Sequence, residues 1–115
     1  ITVETTIGFS DVKVSFPAKI DTGSTLCIFE RSHAEQLGLR VESGIRQRVS
    51  TATGVFTAFG FRLGLTVAGF EFDSLVYFAE DIGIRRNVLG RRGWLELVRI
   101  GLVDYERKIY LSPYL

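Results

Sequence analysis

Methionine is absent, and cysteine, histidine and tryptophan each occur once, as Cys27, His33 and Trp94. A lone cysteine excludes an intramolecular disulfide framework and fits a reducing, cytoplasmic setting. A metal site normally needs several ligands, so the single histidine carries no expectation of one; no metal and no cofactor is expected. No apolar run approaches the length of a membrane span, and no signal peptide is visible. Since the sequence opens on Ile1, targeting segments outside it stay open. Charge of one sign is also lacking: the formal net charge of +1 gives no general attraction to nucleic acid or membrane. What is plentiful points to strands and tight turns, namely nine Phe, four Tyr and twelve Gly among many Val, Thr and Ile. With 115 residues, 46% of them hydrophobic, the chain can fill one core but not two. No repeat, linker or low-complexity stretch interrupts it, so residues 1–115 read as a single domain.

One stretch organises the rest, Ala18-Lys19-Ile20-Asp21-Thr22-Gly23-Ser24-Thr25. An apolar, β-prone run (Val12, Val14, Phe16, Ile20) delivers an acid into a tight turn, and Leu26-Cys27-Ile28-Phe29 follows at once. A carboxylate beside core strands is costly unless hydrogen bonds surround it. Thr22 and Ser24 offer hydroxyls, and Gly23 lets the backbone turn its amides towards the acid. The plainer reading is a turn whose Asp, Gly and Ser are ordinary turn residues.

The remaining chain reads as follows. Residues 1–9 and Val12 to Ile20 alternate as strands around a Ser10-Asp11 turn, with Pro17 expected at an edge or bulge for want of an amide donor. Leu26 to Phe29 is a short buried strand. Ser32-His33-Ala34-Glu35 has the form of a capping box and Gly38 stands at a helix C′ position, which predicts a short helix over 33–37. Ile45 to Phe61 predicts a long hairpin with its tip at Thr51-Ala52-Thr53-Gly54. Leu63 to Val67 and Phe70 to Phe72 flank Ala68-Gly69 as a second hairpin, and Ser74 to Phe78 continues as a strand. After a polar connection from Glu80 to Arg86, Asn87-Val88-Leu89-Gly90-Arg91 joins two apolar residues to a glycine, followed by a helical stretch around Arg92 to Leu97. Val98 to Val103 and Lys108 to Leu111 close the chain as a hairpin.

The Asp21-Thr22-Gly23-Ser24 turn resembles the catalytic signature of aspartic proteases. The Asn87 to Arg91 segment resembles the Asn–apolar–apolar–Gly–Arg segment that retroviral-type proteases carry before their helix. In the right order, with a glycine-tipped hairpin between them, the two resemble the retropepsin-like, single-lobe aspartic proteases over about Val12 to Leu111, nearer to cellular and bacterial members than to viral ones. The resemblance implies an all-β, single-lobe barrel with one flap hairpin and one or two short helices. It implies an endopeptidase in which the Asp21 of two chains meet on the two-fold axis of a homodimer, with a polypeptide as the other partner. Asp21, Thr22, Gly23 and Ser24 would form the catalytic loop, Thr22 bonding across the axis and Ser24 donating to the outer carboxylate oxygen. That last bond would favour the ionised acid and a more acidic working range. Ala52, Thr53, Gly54 and Val55 of the flap, with Ile28 and Val88, would hold the substrate. The apolar–apolar–Gly strand would pass beside the catalytic loop, its glycine permitting close approach. The sequence departs from the viral pattern in four places. Ser24 replaces an Ala, Thr25 replaces the Asp that pairs with the Arg91 equivalent, the 32–38 helix is an addition, and the flap tip is poorer in glycine.

Other carriers of chemistry read as structural. His33, near the helix cap, is expected on the surface. Cys27 with His33 has the composition of a nucleophile–base pair, but Cys27 lies in an apolar strand and is expected in the core. Arg85-Arg86 and Arg91-Arg92 form a small basic cluster, read as a solvated face or dimer contact rather than a phosphate site. Trp94 is expected to anchor the final helical stretch to the core or an interface. Two rival readings stand beside the protease: a peptide-binding or dimerisation module of the same fold that no longer cuts, and an unrelated small β-barrel in which Asp21 caps a turn.

Overall fold

The computed structural model describes residues 1–114. Its strands are β1 (Thr2–Phe9), β2 (Val12–Ile20), β3 (Ile28–Phe29), β4 (Ile45–Thr51), β5 (Gly54–Val67), β6 (Phe70–Ala79), β7 (Val88–Leu89), β8 (Val98–Val103) and β9 (Lys108–Pro113). One α-helix, α1 (Arg31–Gln36), and short 3-10 turns at Val41–Ser43, Leu95–Leu97 and Asp104–Glu106 complete it. Seven strands form one sheet in the order β1-β2-β7-β3-β6-β5-β4, and β1 also pairs with β5, so the sheet curls back on itself. β8 and β9 form a separate two-stranded sheet.

Period two in the sequence becomes the inside of this barrel. Along β2, Val14, Phe16, Ala18 and Ile20 turn inward while Lys13, Ser15, Pro17 and Lys19 face out. Pro17 pairs with Glu4 of β1, whereas β7 reaches only Lys19 and Ile20, so the proline sits where β2 is an edge. The 14-residue β5 is the spine: its first half pairs with β4, its last residues with β1, and β6 follows it from Ala58 to Val67. Ala68 and Gly69 close the β5–β6 hairpin, both at positive φ, as a two-residue turn that matches strand twist requires. Phe29, Leu65, Leu89 and Trp94 are fully enclosed in the main core. A smaller cluster of Ile28, Ala58, Tyr77 and Val88 lies on the other face of β6.

Two local expectations are corrected. The helix starts at Arg31 with Glu30 in the N-cap position, and no side chain caps it, so the Ser32–Glu35 capping box does not form. Arg31 takes over the local polar bonding instead. Its guanidinium holds both carboxylate oxygens of Glu42, at 2.6 and 3.1 Å, and donates to the Glu80 carbonyl at 3.0 Å. This ties α1 to the 3-10 turn and to the end of β6. The helix does end as expected, with Gly38 beyond it at φ +81°.

His33 is the second correction. Its ring stacks on Phe16, centroids 3.9 Å apart and planes within 8°, and both ring nitrogens are shut away from solvent without a hydrogen-bond partner among the described residues. The missing cap explains the difference: with the helix beginning two residues earlier than the box implies, position 33 turns in over β2. Burial lowers the pKa of His33, while the Glu30 carboxylate and the Asn87 side chain act in the opposite direction. In the window from the ordinary value of 6.5 down to the lowered one, the unfolded chain binds the proton and the folded chain does not. Stability therefore rises with pH across that window and falls on acidification. Denaturant unfolding at pH 7 and pH 5 should show a larger loss for the wild type than for His33→Phe, which keeps the stack without the titration. Equal losses would remove His33 from the acid response.

Candidate active site

The Asp21 loop is held on both sides by the same segment. At the end of β2, Lys19 N–H donates to the Asn87 carbonyl at 2.8 Å and Asp21 N–H to the Leu89 carbonyl at 3.1 Å. Beyond the turn, Arg91 N–H donates to the Ser24 carbonyl at 2.9 Å and Arg92 N–H to the Thr25 carbonyl at 2.8 Å. Residues 87–92 thus bracket residues 19–25. Gly90 makes this approach possible, since a Cβ there would collide with the Leu26 carbonyl oxygen and come within 2.7 Å of the Ser24 carbonyl oxygen. The close approach expected of the apolar–apolar–Gly strand is what the structure has.

Within the loop, Gly23 N–H donates to Asp21 Oδ1 at 2.9 Å, and Ser24 N–H donates to the Asp21 carbonyl at 3.1 Å. The half-buried carboxylate is therefore cradled by backbone and still reaches solvent. Among the described residues no second carboxylate is hydrogen-bonded to it. Ser24 differs from expectation: its hydroxyl donates to the Leu26 carbonyl at 2.7 Å, bracing the start of β3 instead of the acid. The physical ground for a more acidic working range, a Ser24–carboxylate bond, is thus not present in the isolated chain. Thr22 is exposed.

Asp21, Gly23 and Ser24 open into a cleft of about 880 Å³ that runs between this loop and the β4–β5 hairpin. Ile28 and Ala52, both expected at a binding surface, line it. Thr53, Gly54, Val55 and Val88 do not. The hairpin turns at Ala52-Thr53, with Thr51 Oγ1 donating to the Gly54 carbonyl at 3.0 Å, and its tip stands clear of the body, leaving Val55 55% exposed. Val88 is covered because it sits between two strands, paired with Lys19 on one side and Ile28 on the other. Val49, Leu75 and Tyr77 line the cleft without having been singled out from the sequence. The signal was present: Leu75-Val76-Tyr77-Phe78 is apolar on both faces, Val76 and Phe78 serving the main core and Leu75 and Tyr77 the cleft side.

Cys27 is fully buried, its Sγ 3.6 Å from the Arg92 carbonyl, and burial pushes the thiol pKa up to about 11. A thiol so held stays protonated and is no nucleophile. Trp94 is enclosed in the main core, which decides between the two anchoring roles expected of it.

A single-lobe barrel with this bracketed Asp-Thr-Gly-Ser loop has the retropepsin-like aspartic protease fold. It is similar to a retropepsin-like aspartic protease from Rickettsia conorii, with 19% identity, a TM-score of 0.66 and coverage of 90% of this chain and 84% of the other. It is also similar to the EIAV protease in complex with an inhibitor, with 19% identity, a TM-score of 0.59 and coverage of 79% and 81%. At the level of sequence, residues 3–92 match the aspartyl protease family model, and the chain belongs to that family. Comparison with curated proteins gives no match.

Proposed function

We propose that the protein is an aspartic endopeptidase that hydrolyses polypeptides as a homodimer, each chain supplying one Asp21 to a shared site. The observation that carries this reading is the Asp21 carboxylate itself, cradled by the Gly23 amide and open to the cleft, in a chain of the aspartyl protease family. Metal-free peptide hydrolysis needs a base to activate water and an acid to protonate the departing groups. Two carboxylates held close cannot both ionise, so between them they supply one of each. Since no second carboxylate is bonded to Asp21 among the described residues, the partner acid would come from a second chain across a two-fold axis. Thr22, exposed on the same loop, would stiffen that contact.

The β4–β5 hairpin would serve as the flap, closing over an extended substrate and excluding water. Ala52 would be its nearest contact, Thr53 and Gly54 reaching the substrate only once the hairpin closes. Ile28, Leu75 and Tyr77 would make the floor apolar next to the acid.

The test is cleavage of an unfolded peptide pool across a dilution series. Specific activity should fall with dilution in parallel with the dimer fraction measured by sedimentation, since half a site cannot work alone. Activity independent of concentration in a protein that sediments as a monomer would sink the two-chain site. A folded dimer that binds peptides and never cuts would favour the non-cutting module.

A further inference from the structure

Positive charge in this nearly balanced chain is not evenly spread. From residue 43 to residue 70, which covers β4 and β5, there is no Asp or Glu, and Arg46, Arg48 and Arg62 are present. From residue 82 to residue 95, the segment that brackets the Asp21 loop, there is again no acid, and Arg85, Arg86, Arg91 and Arg92 are present. These two segments are the roof and one wall of the cleft.

Four of these arginines line the cleft, Arg48, Arg62, Arg86 and Arg92, and for the last three the neighbours are fixed as well. Arg62 is in register with Leu75, on the face of β5 and β6 that also carries Phe56 and Tyr77. The Arg86 guanidinium lies over the Phe56 ring, 5.7 Å from its centroid, and Phe56 packs against the cluster of Ile28 and Tyr77. Arg92 is bridged to Leu26 at the foot of the catalytic loop. All three line the cleft, and none has an ion-pair partner among the described residues; the pairs there involve only Arg31 and Lys108. Apart from Asp21, only Asp73 and Glu96 among the described residues bring acid to the lining.

We infer that the groove selects polypeptide segments with acidic side chains flanking an apolar scissile position, with Arg62, Arg86 and Arg92 as the residues that read the acids. The inference rests on the reading of this cleft as a peptide groove. The centre, floored by Ile28, Leu75 and Tyr77, suits apolar side chains, and the arginines stand around it. An arginine fork matches a carboxylate in shape as well as charge. Cations lining a cleft with low-dielectric walls also focus their field along it and speed the encounter with an anionic partner. Nucleic acid is the less suited occupant, because the chain as a whole carries only +1 and the half-buried aromatic beside the cleft, Phe56, already has Arg86 over its ring.

The test uses peptides sharing one apolar centre, with Glu, Gln or Lys at the flanking positions, and reads kcat/KM for the wild type. Binding to Asp21→Asn is measured in parallel. The Glu peptide should exceed the Gln peptide by on the order of fivefold per acidic side chain at low salt, with the Lys peptide weakest and the differences fading in salt. The preference should grow as pH rises through about 4.3, where the peptide acids ionise. Arg86→Gln and Arg62→Gln should each reduce the Glu-to-Gln ratio, and Arg86→Glu should turn it towards the Lys peptide.

Cleavage of Glu and Gln peptides at equal rates overturns the inference and leaves the protease standing. If nothing is cut but Asp21→Asn binds the Glu peptide preferentially, the acidic selectivity stands and the catalytic reading falls. Equal binding of all three peptides overturns the inference whether or not they are cut. A single-stranded oligonucleotide that binds more tightly than the Glu peptide overturns it in favour of nucleic acid.

Discussion

Asp21→Asn should lower peptide hydrolysis by about a thousandfold or more, with the fold intact. The substitution is nearly isosteric, and the asparagine carbonyl oxygen can still accept the Gly23 N–H that Asp21 Oδ1 accepts at 2.9 Å. The turn, the bracketing by residues 87–92 and the Ser24–Leu26 bond therefore lose nothing. What disappears is the titratable carboxyl proton. An amide neither takes a proton from water nor returns one to a leaving amine, so a pair with one or both acids replaced cannot alternate between base and acid. Mixed dimers of wild-type and Asp21→Asn chains should be as silent as the variant alone. The measurement is hydrolysis of an unfolded peptide pool from acid to neutral pH, with circular dichroism and sedimentation as checks on fold and assembly. A folded variant cutting within tenfold of the wild type would take Asp21 out of the chemistry.

Gly90→Ala should destabilise the protein by about 3 kcal/mol or more, because overpacking against backbone finds no flexible side chain to yield. The added methyl would meet the carbonyls of Leu26 and Ser24. Neither can withdraw freely, since the Ser24 carbonyl accepts Arg91 N–H and the Leu26 carbonyl accepts the Ser24 hydroxyl. Relief would require pulling the 87–92 segment off the catalytic loop. Activity should then fall even under conditions where the variant remains folded. Gly38→Ala is the control: it has the positive φ of +81° but open space around it, so it should cost only about 1 kcal/mol. Denaturant unfolding of both variants gives the comparison. If the two cost the same, the contact between Gly90 and the loop is looser than the structure has it.

Much of this was legible in the sequence because the signals were local. Alternation set β1 and β2; Ala68-Gly69 marked its hairpin; the Asp21 turn and the Asn87–Arg91 segment marked two halves of one site. What was not legible depends on packing between distant segments. His33 is a surface residue by its neighbours in sequence and a stacked one by its neighbour in space, Phe16. Val88 looks like a pocket wall until β3 and β2 are seen to cover it. The Ser24 hydroxyl had two acceptors within reach along the chain, the acid and the Leu26 carbonyl, and residue type alone does not rank them. The arginines of the groove read as solvated charge while the sequence is taken one stretch at a time. Only the placement of β5 and of residues 82–95 around one cleft gives their distribution a direction.

The backbone contact that flanks the Asp21 loop has a use of its own. Ile1 offers its carbonyl to the Ile20 N–H at 2.9 Å, one residue short of Asp21. A fluorophore or spin label attached through a cysteine placed at that position (Ile1→Cys) would sit at the rim of the catalytic loop without replacing any residue in it, and the buried Cys27 would not compete for it. Docking of a second copy on that loop would change the label's solvent exposure, and occupation of the cleft by peptide would change its local field. A bulky label at the same position would obstruct the proposed docking of a second chain on that loop, so a small one is the better choice.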